Sequence, residues 1–219
     1  MAGRTFIRLL TVTAVAALSV GTAAVAHAEP SAEKGITADL DGDRKADRVS
    51  IVATPEGGWH LKAKLATGAV HTALLPDDDG LTRVGLSASA VDADGRDEVI
   101  TPVYSGTTTP TFNIYVLDGE LKPIVDTDGA PLPLYVGGGS VMVNGYGCAG
   151  EGTGRLFYTV KAEAHEPRPG DPGPRYNGQR IMYQLEGRTA IARSVRGFTD
   201  VLRTDPILKY DTATCAPTR

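Results

Sequence analysis

The chain has 219 residues, with 22 Lys and Arg against 26 Asp and Glu, a formal charge of −4, 6% aromatic residues and two cysteines. A mildly acidic chain lacks the basic face that neutralises phosphates, which excludes nucleic acid as a partner. The length is enough to bury a sizeable core.

Arg4 and Arg8 precede an uncharged run of apolar and small residues over 9–26, and Ala26-His27-Ala28 has small residues at the two positions a signal peptidase reads. This predicts a signal peptide over 1–28, cleaved near Ala28, and a single secreted domain over 29–219. An uncleaved anchor fits less well, because the run is rich in Ala, Thr and Gly and barely long enough to span a bilayer. No Cys follows for a lipid anchor, and no later segment is apolar enough to predict a membrane span. Without Arg4 and Arg8, 20 basic residues face 26 acids, so the charge falls to −6.

Residues 29–34 form a polar lead-in, after which the pattern is that of strands. A strand is predicted over 49–52. Over 59–65, Trp59, Leu61, Ala63 and Leu65 alternate with His60, Lys62 and Lys64, the period of a half-buried strand. After a turn at 66–69 the alternation resumes with Val70, Thr72 and Leu74, predicting a hairpin with coincident apolar faces, His71 opposite Lys64, and His60 and His71 pointing outward. Pro76 to Gly80 carries three consecutive acids, whose side chains diverge, and reads as a solvated turn. A further strand is expected over 82–86.

The order then recurs: a strand over 98–103, a Ser/Gly/Thr/Pro loop, a strand over 111–117, a tight Asp118-Gly119 turn and a strand over 121–125. A looser third copy has strands over 155–162, 179–185 and 189–195, the last two joined by a turn at 186–188. The four-proline stretch 165–177 is a loop insertion, and a short helix is expected over 199–208. The fold class is all-β and antiparallel, with three blade-like repeats arranged as a propeller-like or open stack, or completed by oligomerising. A β-trefoil is the alternative. Cys148 and Cys215 are expected to pair in an oxidising compartment, enclosing the third unit and tying the C-terminus to its start.

The loop from Asp39 to Asp47 places carboxylates at positions 1, 3, 5 and 9 (Asp39, Asp41, Asp43, Asp47), with Lys45 at position 7 offering a backbone carbonyl. Hard oxygen ligands at this spacing are calcium chemistry, and four acids so close repel one another unless a cation sits among them. Arg44 at position 6 and Ser50 at position 12 exclude an EF-hand, and a strand follows instead of a helix. The run ADLDGDRKADRVSIV resembles the blade-opening loop of FG-GAP or VCBS-type repeats, the calcium-bearing units of integrin-α-like β-propellers.

A second copy, SAVDADGRDEVI, aligns without gaps: Ala90 opposite Asp39, Asp92 opposite Asp41, Asp94 opposite Asp43, Arg96 opposite Lys45 and Glu98 opposite Asp47. With the first carboxylate lost it is expected to be the weaker site. The third copy, from Ala149 to Phe157, keeps one acid, Glu151, and is expected to bind nothing. In the resembling family such ions brace the loop between strands, which implies a structural calcium.

No catalytic set is legible. Ser140, in Gly137-Gly138-Gly139-Ser140-Val141, lacks the following glycine of a nucleophile elbow, and His165 has no recognisable partner. Trp59, Tyr104, Tyr115, Tyr135, Tyr146 and Tyr158 fall mostly in strand-like runs and read as core or strand-face residues. The expected function is that of a secreted, calcium-stabilised, non-catalytic binding module for an unknown protein or cell-surface glycan. The alternative is a small secreted hydrolase acting on polysaccharide or peptide.

Overall fold

A computed structural model describes residues 35–76, 85–92, 94–150, 154–167 and 169–217. The expected signal peptide, the lead-in, the acids of the turn at 77–80, Glu151 and most of the strand expected over 82–86 lie outside the described residues.

Among the described residues thirteen strands fall into three antiparallel sheets, each traced largely in chain order. Sheet A is β1 (Gly35–Ala38), β2 (Asp47–Ala53), β3 (Trp59–Lys64) and β4 (Val70–Leu75). Sheet B is β5 (Ser87–Ser89), β6 (Glu98–Ser105), β7 (Pro110–Asp118) and β8 (Glu120–Pro123), with β9 (Leu134–Tyr135) paired to β7 beyond β8. Sheet C is β10 (Met142–Ala149), β11 (Leu156–His165), β12 (Arg175–Glu186) and β13 (Thr189–Leu202). The protein is therefore all-β, built of blade-like sheets. Among the described residues no sheet closes into a barrel, which speaks against the trefoil alternative.

The alternation of side chains across each strand stacks the sheets. On β6 and β7, Val99 and Tyr115 join Leu61, Ala63 and Leu75 of sheet A in one core. Their neighbours Ile100, Ile114 and Val116 point the other way and join Phe157, Tyr183 and Leu185 of sheet C in a second core. Sheet B is thus buried on both faces, which is why its central strands read as nearly continuous apolar runs. Pro102 sits at the bulge where β6 loses register with β7, a position that needs no ladder N–H.

A third core lies on the far face of sheet C, where Val143, Tyr158, Val160 and Ala162 are covered by Ile207 and Leu208 of the C-terminal segment. That segment is a strap. The ring of Tyr210 lies against Gly145, where any side chain would collide with it, and Gly147 leaves room for the Tyr158 hydroxyl and the Asp211 carbonyl. Cys148 N–H donates to Thr214 Oγ1 at 2.7 Å, and Cys148 and Cys215 form the expected disulfide. The carbonyl of Cys215 then accepts from Ala90 N–H at 2.8 Å and from Ser89 Oγ at 3.0 Å, which carries the strap back to sheet B.

Two expectations are corrected. The β3–β4 register pairs Lys64 with Val70 and Ala63 with His71, one residue off the expected pairing. The turn is closed by Leu65 N–H on Ala69 O and by Gly68 at φ 93°, and a one-residue slip exchanges the faces of a whole strand. His71, Ala73 and Leu75 therefore turn inward, while Val70 and Leu74 are exposed, Leu74 by 71%. The helix expected over 199–208 is instead the end of β13, followed by 3-10 turns at Pro206–Leu208 and Thr212–Cys215. Pairing of Val201 with Tyr176 and Leu202 with Arg175 holds the chain extended, and Pro206 starts the turn after it. Among the described residues no helix is long and apolar enough to cross a membrane.

Candidate metal centre

The three aligned loops occupy the same place in the three sheets. Each connects the first two strands of its sheet and is bracketed by a pair nine residues apart: Ala38 with Asp47, Ser89 with Glu98, and Cys148 with Phe157.

In the first loop, Asp39, Asp41 and Asp43 each bring one carboxylate oxygen to within 4.8 Å of the other two. That separation is about twice a calcium–oxygen bond of roughly 2.4 Å, so a single ion can reach all three. The same carboxylates shape the loop. Asp39 accepts from Gly42 N–H (3.0 Å) and Arg44 N–H (2.9 Å), Asp41 from Asp43 N–H (3.1 Å), and Asp43 from Lys45 N–H (2.8 Å). A carboxylate has about four lone-pair positions, so these bonds leave capacity for a cation. Lys45 Nζ lies 3.0 Å from Asp43 Oδ2, and this hydrogen bond holds the Asp43 carboxyl below its ordinary range.

Asp47 does something different. Its side chain is fully buried, with one oxygen accepting from Leu40 N–H and the other from Ala66 N–H, both at 2.8 Å. It clamps the start of the loop to the β3–β4 turn and lies outside the three-carboxylate cluster.

The second loop repeats three bonds of this network between counterparts in the gapless alignment, while the two that Asp39 accepts have none because Ala90 stands in its place. Asp92 accepts from Asp94 N–H (3.1 Å), Asp94 from Arg96 N–H (2.8 Å) and Nε (2.7 Å), and Glu98 from Val91 N–H (2.7 Å). Glu98 is longer than Asp47, and its carboxylate joins Asp92 and Asp94 in a second cluster of three. Burial, reinforced by the nearby Asp92 charge, pushes the Glu98 carboxyl well above its usual range. Burial also raises Asp92, whereas in Asp94 the hydrogen bonds from Arg96 outweigh burial and lower it. In the third loop the ninth position is Phe157, fully buried and stacked on Tyr183 at 5.0 Å, so a core side chain replaces the buried acid.

The two acid loops are joined. Asp39 N–H donates to Asp97 Oδ2 and Asp97 N–H to Asp39 O, both at 2.7 Å. Asp97 escaped the sequence reading because its counterpart in the first copy is Ala46, so the repeat gave it no match. Ala90, the counterpart of Asp39, instead donates to Cys215 O, so the strap serves the second loop as Asp97 serves the first.

Arg44 has φ 64°, a left-handed conformation costly for a residue with a Cβ, and its counterpart Gly95 has φ 92°. Arg44→Gly is expected to raise stability by about 0.5–1 kcal/mol in chelator, read from urea midpoints. For Glu98 the raised folded-state pKa means that its contribution to stability is present in acid and lost as pH rises through that value. In chelator, Glu98→Gln is therefore expected to melt above the wild type at pH 7 and to flatten the pH profile. With excess calcium the order reverses. A mutant that tracks the wild type across pH contradicts this.

Other candidates remain dispersed. Ser140 is exposed, with its carbonyl accepting from the Tyr176 hydroxyl at 3.0 Å, and His165 lies 3.5 Å from Asp200. Tyr115, Tyr146 and Tyr158 are buried, whereas Tyr104 and Tyr135 are exposed. Comparison with protein-family models, curated proteins and solved structures finds no match to this chain.

Proposed function

We propose that the protein is a secreted, calcium-stabilised, non-catalytic binding module whose ligand is a protein or a cell-surface glycan. The observation that carries this reading is the repetition of one acid loop at equivalent places in two adjoining sheets, with equivalent hydrogen bonds in each. A reactive centre is ordinarily built once. A repeated loop whose carboxylates bond backbone amides and whose neighbour is the next sheet has the place of a brace.

The ligand chemistry supports calcium over softer-site metals, because every donor is an oxygen. Asp39, Asp41 and Asp43 would hold one ion, with the Lys45 carbonyl added as the Lys45 ammonium gives way. Asp92, Asp94 and Glu98 would hold a second, weaker one. The resemblance of residues 38–52 to FG-GAP or VCBS-type loops points the same way. The Cys148–Cys215 disulfide and the signal peptide expected over 1–28 support export to an oxidising compartment.

Calorimetric titration with calcium tests the reading. Two sites are expected, the tighter abolished by Asp41→Ala and the weaker by Asp92→Ala. Absence of calcium heat in the wild type would remove the metal from the account, and turnover of a polysaccharide or peptide substrate would replace the binding role with a hydrolytic one.

A further inference from the structure

In a chain with more acids than bases, the outer face of sheet C gathers four cations against two bordering acids, Asp205 and Asp211. Arg180 on β12 and Arg196 on β13 are directly opposite in the antiparallel register. Like charges so placed repel, a cost the fold retains. Arg203 follows the end of β13, and Lys209 follows the first 3-10 turn of the strap. Among the described residues none of these four is ion-paired with a carboxylate.

The central cation is held in place. The Arg180 guanidinium lies 3.7 Å over the ring of Tyr158 and donates from Nη1 to the Lys209 carbonyl at 3.3 Å. This fixes its plane and leaves further N–H groups for an oxyanion, the fork geometry that suits carboxylate and phosphate. Two adjoining cavities share Arg180 and Pro206: one of about 620 Å³ that includes Arg203 and Lys209, and one of about 530 Å³ that includes Arg196 and Ser194. Asp205 and Asp211 border them, but each turns a carboxylate oxygen to its own turn, accepting from Ile207 N–H and Ala213 N–H at 2.9 Å.

We propose that this cleft binds an anionic polysaccharide, a chain of sugars bearing repeated carboxylate or phosphate groups. Two adjoining cavities exceed what one small anion fills, and between them they present four cations, as a ligand with repeated charges requires. Tyr158 already carries Arg180 on its face, and Arg203 lies 5.9 Å over Tyr176, so these rings are occupied by cations where single-stranded nucleic acid would need them for its bases. An added peptide strand would pair along the outer edge of β13 beyond its bridge to Val125, away from this face. The cleft gives the binding role proposed above a place and a ligand chemistry, and it is separate from the calcium loops.

The test is titration of the purified protein with hyaluronate, a carboxylate glycan, and with phosphomannan, a phosphate glycan. Dextran serves as the neutral control and poly-aspartate as the peptide polyanion. Binding to one or both charged glycans is expected, weakening as salt rises and absent with dextran. Arg196 and Lys209 are exposed, so the Arg196→Gln/Lys209→Gln double variant should melt with the wild type and bind at least about tenfold more weakly. Arg180→Gln should weaken binding further. Titrations repeated in chelator, below the melting temperature, separate this site from the calcium loops, since glycan binding is expected there too. No binding to either charged glycan, equal binding by the double variant, or tighter binding of poly-aspartate would overturn the proposal.

Discussion

Replacing Cys148 and Cys215 together with serine is expected to lower stability by about 4 kcal/mol and to loosen the strap before the sheets melt. The bridge spans 67 residues of sequence, so in the chain-entropy model its loss returns considerable freedom to the unfolded chain. The folded side adds a local effect. The strap packs on sheet C through Ile207, Leu208 and Tyr210, and it reaches sheet B through Cys215, whose side chain joins the core shared by sheets B and C and whose carbonyl accepts from Ala90 N–H and Ser89 Oγ. Without the bridge, Leu208 and Tyr210 still hold one end while the other frays, leaving Ala90 N–H to water. Urea unfolding monitors the global loss, and amide exchange at 207–215 monitors the local one. A midpoint unchanged from the wild type contradicts the role given to the strap.

Asp47→Ala is expected to lower stability by about 3–5 kcal/mol, more than the loss of any single carboxylate in the exposed part of the loop. The buried Asp47 accepts two backbone N–H groups from different segments, and each bond to an ionised acceptor contributes about 1.5–3 kcal/mol. Truncation leaves Leu40 N–H and Ala66 N–H without a partner. Asp41, by contrast, accepts one exposed N–H, so Asp41→Ala is expected to cost about 0.5–1.5 kcal/mol in chelator. Thermal unfolding of the two variants side by side in chelator ranks them, and equal losses contradict the distinction between clamp and cluster.

How much the sequence disclosed depended on how local each signal is. Strands β2, β3, β7 and β8 were legible because apolar periodicity and the Asp118-Gly119 turn lie within a few residues, and Gly119 does take positive φ. Strand β10 was not, because Gly145 and Gly147 interrupt its pattern for the sake of Tyr210 and Tyr158, partners distant in the chain. The register of β4 turned on a one-residue difference in its turn, which composition does not reveal. In the acid loop the spacing of Asp39, Asp41 and Asp43 was informative, since those side chains converge locally. Asp47 looks the same in sequence as a fourth ligand, and only the position of Ala66 distinguishes a clamp from a ligand. The cations at 180, 196, 203 and 209 are scattered along the chain and meet only through the register of β12 and β13 and the return of the strap.

Thermal unfolding of the purified protein in calcium and in chelator measures the brace directly. With calcium about a hundredfold above its dissociation constant, linkage gives roughly 2.7 kcal/mol of stabilisation, or a rise of about 5–10 °C in Tm for a chain of this size. Asp41→Ala is expected to remove most of that rise, beyond the drop of about 1–6 °C that its lost hydrogen bond causes in chelator. Midpoints that coincide in calcium and chelator, and a calcium response indifferent to Asp41→Ala, would contradict a calcium brace at the Asp39 to Asp47 loop.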